Sequence, residues 1–303
     1  MRARWITAVG VTGIAVVLLL GAYWWRRAAD PARDGAPSWA PDGKAIVFSA
    51  EVGAGKGDIY VMREDGSQRR NLTNSLDAND ASPTMSPDGR TIAFESDRGG
   101  NVDIYVMDRA GGNVRRLTTD PADDRSPAWS PDGSRIAFTS TRGQRDGADL
   151  YVMSAGGGNV QRLTTGGHVW APQYSRDGHS IAVQMDRDVY VIDAITQTAR
   201  RITADPDNGM NPTWSPDGQQ LAFVTTRNRQ AELFTVNSNG TDAKAVVSLP
   251  SGAAIDPRWS PDGTKIVFVL VPQGPESNEG ARRDVQAIYT VDLASGTLTR
   301  LSR

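Results

Sequence analysis

Pro127-Ala128-Trp129-Ser130-Pro131-Asp132-Gly133 is followed, after a two-residue gap, by Ile136-Ala137-Phe138, and this pairing decides the fold. In Ser-Pro-Asp-Gly the proline presets φ for the second turn position, aspartate suits the third, and glycine takes the left-handed position where the chain re-enters a strand. The phrase therefore closes a hairpin between a strand ending in an aromatic residue and a short apolar strand. It recurs as Trp39-Ala40-Pro41-Asp42-Gly43, Met85-Ser86-Pro87-Asp88-Gly89, Tyr174-Ser175-Arg176-Asp177-Gly178, Trp214-Ser215-Pro216-Asp217-Gly218 and Trp259-Ser260-Pro261-Asp262-Gly263. The turn glycines Gly43 to Gly263 are 220 residues apart over five intervals, a mean spacing of 44. That is the length of one four-stranded propeller blade.

Every copy supplies the other strands. The second is Ile-Ala-Phe-like (Ile92-Ala93-Phe94, Leu221-Ala222-Phe223), the third Ile-Tyr-Val-Met-like (Ile59-Tyr60-Val61-Met62, Leu150-Tyr151-Val152-Met153). The fourth is Arg-Leu-Thr-like (Arg116-Leu117-Thr118, Arg162-Leu163-Thr164) and is least recognisable at Ala245-Val246-Val247. One blade cannot bury both sheet faces, whereas blades stacked around an axis can. The expected fold is all-β: a six-bladed β-propeller over 37–303, with four antiparallel strands per blade and the aromatic before each turn packed between neighbouring blades. Six complete units leave no spare strand, so blade 1 is expected to close on blade 6 by packing, without strand exchange.

Ahead of the ring, Trp5–Trp25 is 21 residues without a charge. As a helix it spans about 31 Å, the thickness of the hydrocarbon core. Trp5 at one end and Tyr23, Trp24 and Trp25 at the other resemble interfacial aromatic belts. A cleaved signal peptide has a shorter apolar run and a clean small-x-small site; here Leu20-Gly21-Ala22 is the nearest candidate. The expected organisation is a basic N-terminus (1–4), a single transmembrane helix (5–25), a tether (26–36) and the propeller. Arg2 and Arg4 face Arg26, Arg27 and Arg33, so the positive-inside count is nearly balanced.

Of 33 basic residues, four (Arg2, Arg4, Arg26, Arg27) fall in the first 27, and the other 29 face 35 acidic ones. A mildly acidic ring has no electrostatic footprint for nucleic acid. The chain contains no cysteine, which removes disulfides and thiolate metal sites.

Proline, aromatic, Ser-Pro-Asp-Gly, Ile-Ala-Phe, Asp-Ile-Tyr-Val-Met and Arg-Leu-Thr, in that order over residues 37–302, resemble the TolB-type propeller repeat. The resemblance implies a ring on the extracytoplasmic, periplasmic side of the cytoplasmic (inner) membrane that binds envelope proteins. Related repeats occur in prolyl-oligopeptidase-like enzymes, oligogalacturonate lyases and membrane-bound transcription regulators. TolB itself carries an N-terminal α/β domain where this sequence has only the anchor and tether, so an envelope-binding role is expected rather than the whole TolB role.

No phrase supplies catalytic machinery. Gly-x-Ser-x-Gly is absent, and Gly53-Ala54-Gly55-Lys56-Gly57 has neither phosphate-loop spacing nor a hydroxyl residue after the lysine. The two histidines, His168 and His179, lack metal-site spacing. The acids of the blade-to-blade loops (Asp77, Asp80, Asp120, Asp123, Asp124, Asp205, Asp207, Asp256) follow no Ca²⁺-loop pattern. Arg98, Arg142 and Arg227 recur after the second strand, which points to a structural ion pair with a loop acid. The expectation is thus no enzyme, no catalytic residue, no metal and no cofactor.

One face of the ring carries the short Ser-Pro-Asp-Gly hairpins. The other carries loops of varied length, the longest from Val271 to Asp284 with Arg282 and Arg283, and varied loops on a rigid scaffold are where binding resides. Residues just before each copy's first proline should ring the channel mouth on that face: Asp80, Ser82, Asp124, Arg125, Ser126, His168, Trp170, Asn208, Asn211 and Asp256. A polar mouth with an aromatic anchor suits a protein or peptide partner from the envelope. A carbohydrate-binding or lyase-like propeller is the alternative, as is an accessory propeller of a separate hydrolase.

Overall fold

The computed structural model describes residues 34–51, 56–143, 147–203, 209–225, 232–247, 249, 252–271 and 286–302. Within them lie 24 strands in six antiparallel sheets of four, each sheet running in chain order from its innermost to its outermost strand. The expected membrane span Trp5–Trp25 lies outside the described residues, as do Asn208, Arg227, Asp205, Asp207 and the loop 272–285. The innermost strand of blade 1, Asp34–Trp39, starts three residues inside the stretch read as tether, because Asp34 and Gly35 already pair with Ala50 and Ser49.

The second strands read as continuous apolar runs because blades cover both of their faces. Ile92, Ala93 and Phe94 are all fully buried, as are Ile136, Ala137 and Phe138. The aromatic before each turn packs on the preceding blade: Trp214 against Val189 and Val191, Tyr174 against Leu150 and Val152, Trp129 against Ile104 and Val106. Trp39 closes the ring, packing with Ile255, Val267 and Val269 of blade 6. Blade 6 is built wholly from its own four C-terminal strands, so closure uses no exchanged strand.

Two phrases acquire physical meaning here. In the turn, Gly133 N–H donates to Ser130 O at 2.9 Å with φ +71°. Ser130 Oγ donates to Asp132 Oδ1 at 2.6 Å, and Ser134 N–H donates to the same oxygen at 3.0 Å. The same serine–aspartate bond recurs at Ser86, Ser175, Ser215 and Ser260. In the outer phrase, arginine and threonine grip the aspartate that opens the third strand. Arg116 and Thr118 hold Asp103, Arg162 and Thr164 hold Asp149, and Arg201 and Thr203 hold Asp188.

The turn bonds, the Ser130 hydroxyl foremost, hold the Asp132 carboxyl down at about 2 against its ordinary 3.8. A carboxyl depressed in the folded state contributes stability above its unfolded pKa and loses it as pH falls toward the folded value. Between pH 4 and pH 2 the wild-type urea midpoint should therefore drop more than that of Asp132→Asn. Equal drops would show that this carboxylate does not couple to folding.

Candidate functional site

The site is built by the six innermost strands, and a repeated bulge shapes it. In blade 3, Arg125 pairs with Thr139 and Ala128 with Ala137, so Ser126 and Pro127 together face the single residue Phe138. Proline cannot donate to a ladder, and a bulge on a sheet edge is where a strand tolerates it. The residue before the proline takes up the turn. Ala36, Ser82, Ser126, Ala171, Asn211 and Asp256 all have φ between +45° and +53°. Such a left-handed backbone costs roughly 1 kcal/mol for a non-glycine residue. A proline inside every copy of one strand was the available signal for this bulge.

The bulges turn these residues into the central channel. Its walls combine them with the residues after the proline, including Ser38, Thr84, Gln173 and Arg258, around a cavity of about 60 Å³. Asn211 Nδ2 donates to Asp256 Oδ1 at 3.0 Å across the seam between blades 5 and 6. Ser82 Oγ and Gln173 Oε1 are buried and have no partner. One residue upstream of the bulge, Arg125, Trp170 and Met210 stand at equal height in three neighbouring blades, all half-buried. Arg125 Nη2 donates to Asp123 Oδ2 at 2.9 Å, and buried Glu95 accepts from Ser126 N–H at 2.8 Å.

The residues expected at the mouth divide into groups. Ser82, Ser126, Asn211 and Asp256 line the channel, Arg125 and Trp170 sit one step upstream, and His168 is exposed before its strand. Asp80 and Asp124 do not belong to the mouth: both are fully buried. Asp80 binds Arg98 at 2.7 and 2.8 Å, and Asp124 binds Arg142 at 2.5 Å. Arg98 stacks on Phe94 and Tyr105 at 5.4 and 5.2 Å, and Arg142 on Phe138 and Tyr151 at 5.5 and 5.2 Å. Arg98 and Arg142 are thus structural, and their partners are carboxylates read as mouth residues. Blade 1 builds the same unit from another position. Arg69, just ahead of the outermost strand, grips Asp34 at 2.8 and 3.0 Å and stacks on Phe48 and Tyr60.

Arg258, Gln173 and Met210 were missed by sequence reasoning, since nothing in a repeat marks one variable position above another. Among the described residues no group of three or more histidine, cysteine or acidic side chains is placed to hold a metal. The lining offers hydrogen-bond donors and acceptors with one carboxylate and one guanidinium.

Residues 56–148 match the model of the Tricorn protease N-terminal beta propeller domain, and residues 165–298 match that of the TolB beta propeller domain. Among solved structures, TolB from Acinetobacter baumannii superposes with a TM-score of 0.69 at 19% identity, over 96% of this chain and 69% of that one. A putative TolB from Agrobacterium tumefaciens gives 0.66 at 22% identity, over 77% and 84%. An oligogalacturonate lyase from Vibrio parahaemolyticus gives 0.60 at 14% identity, over 90% and 78%. At such identities the superpositions speak for the fold. Residues 165–298 are thus similar to the TolB beta propeller domain, and the six copies of one phrase carry that likeness around the ring.

Proposed function

We propose that this propeller is a non-enzymatic scaffold or sensor, held by Trp5–Trp25 in the cytoplasmic membrane, that binds an extended segment of an envelope protein at the loop-face mouth of its channel. The observation that carries the reading is the arc of Arg125, Trp170 and Met210, three large half-buried side chains at one height in adjacent blades. Arginine and tryptophan dominate binding energies at such surfaces, and methionine adapts its shape to apolar partners. Polar side chains of the channel wall, among them Ser38, Thr84 and Ser126, lie beside the arc and suit the main-chain groups of an extended segment. The hairpin face has no comparable variation, since its turns repeat one phrase.

The test places a photo-crosslinking residue at Met210 or at Thr264, on opposite faces, in the full-length chain in its own membranes. The reading expects a defined cross-linked partner from Met210 and none from Thr264. The reverse pattern would move the binding face to the hairpins.

A further inference from the structure

We propose that the channel is also a carboxylate-binding slot, with the Arg258 guanidinium as its fork. The inference concerns the isolated ring and does not depend on the loop-face reading. Arg258 lies immediately after the bulge of the innermost strand of blade 6, Ala253–Trp259, and its side chain lines the cavity. A guanidinium carries five N–H donors. One donates to Pro257 O at 2.8 Å, and no other described residue accepts from Arg258. Arg258 is half-buried, and a cation drawn partly out of water with unused donors favours an anionic partner.

Asp256 is the carboxylate beside it, but it is already engaged by Asn211. Burial lowers the Arg258 pKa, and Asp256 opposes that shift without cancelling it. A second carboxylate would complete the compensation. Part of the cavity wall is small: Ala36, Ser38, Ser82, Ser126 and Ala171 leave space that larger residues would fill. Ser38, Thr84 and Ser126 carry hydroxyls on the same walls. Hydroxyl and guanidinium donors around one cavity match the two oxygens of a carboxylate, which arginine binds through two parallel N–H bonds. The cavity of about 60 Å³ holds a few waters, or a carboxylate in their place.

A free small carboxylate and the carboxylate of a chain terminus offer the same chemistry, so the experiment has an arm for each. Thermal unfolding of the full-length chain in detergent is followed with sodium acetate against sodium chloride at equal ionic strength. A ligand at ten times its Kd multiplies the folding equilibrium constant about 11-fold. The site predicts a higher unfolding temperature in acetate than in chloride, and no such difference in Arg258→Gln. Ala171→Leu keeps Arg258 and fills the slot from the blade 4 wall, so it too should abolish the difference and guards against a folding defect in the first variant. Acetyl-trialanine with a free carboxylate, compared with its amide, then shows whether a chain terminus reaches the slot. Stabilisation by acetate equal in the wild type and both variants, or no difference between acetate and chloride in the wild type, overturns the proposal.

Discussion

Gly66→Ala is expected to destabilise the ring by about 3 kcal/mol or more, against about 1 kcal/mol for Gly296→Ala. Both glycines sit in the turn between third and fourth strands with positive φ, +82° and +70°. An alanine at either position bears the left-handed backbone. The difference lies in what the added methyl meets. At Gly296 it meets nothing within 4 Å, whereas at Gly66 it would stand 2.2 Å from the carbonyl oxygen of Leu301. Leu301 follows the last strand of blade 6, so this turn is seated on the seam that closes the ring. The obstacle is backbone, which no side-chain rotation relieves. The same seat recurs between blades 1 and 2, where a methyl at Gly111 would run into the carbonyl oxygen of Leu72, and between blades 2 and 3, where one at Gly157 would stand 2.8 Å from that of Leu117. Urea unfolding of the two variants reads the contrast. Equal losses would mean that the closing seam yields freely.

Arg98→Ala should cost about 3–5 kcal/mol, because it strands a buried carboxylate. The Asp80 side chain is fully buried and the Arg98 side chain is 27% exposed. Removing the cation also removes its stacking on Phe94 and Tyr105. The Asp80→Ala, Arg98→Ala double variant should lose clearly less than the sum of the single losses, since neither charge is then left alone. Additive losses in urea unfolding would show that the two groups do not stabilise one another.

The architecture was legible because every copy of the repeat carries the same physical instructions. Proline and glycine fix five of the six turns, with Arg176 in the proline's place in the fourth copy, the second strand is apolar on both faces, and an aromatic residue precedes every turn but the second, where Met85 stands. Six repetitions of such local agreement leave little room for another fold. The channel was less legible, and Asp80 shows why. An aspartate near a loop reads as solvated unless its partner is known, and Arg98 lies 18 residues further along the chain. The arginine signal was visible in three blades, as Arg98, Arg142 and Arg227, yet blade 1 meets the same need with Arg69, 35 residues from Asp34. Only the folded blade brings those pairs together. Arg258 was hidden differently. It occupies the position that holds Ser38, Thr84, Ala128, Gln173 and Thr213 in the other copies, and a varied position carries no mark of its chemistry.

The most direct test of the central claim is partner capture by the full-length chain carrying Trp170→Ala and Met210→Ala together, compared with wild type. The partner is the protein identified by cross-linking from the loop face, and capture is quantified in the same membranes. Capture should fall at least tenfold, as truncation of two anchoring side chains worth about 1 kcal/mol or more each implies, while the six-bladed fold persists by circular dichroism. Undiminished capture by the folded double variant would contradict it.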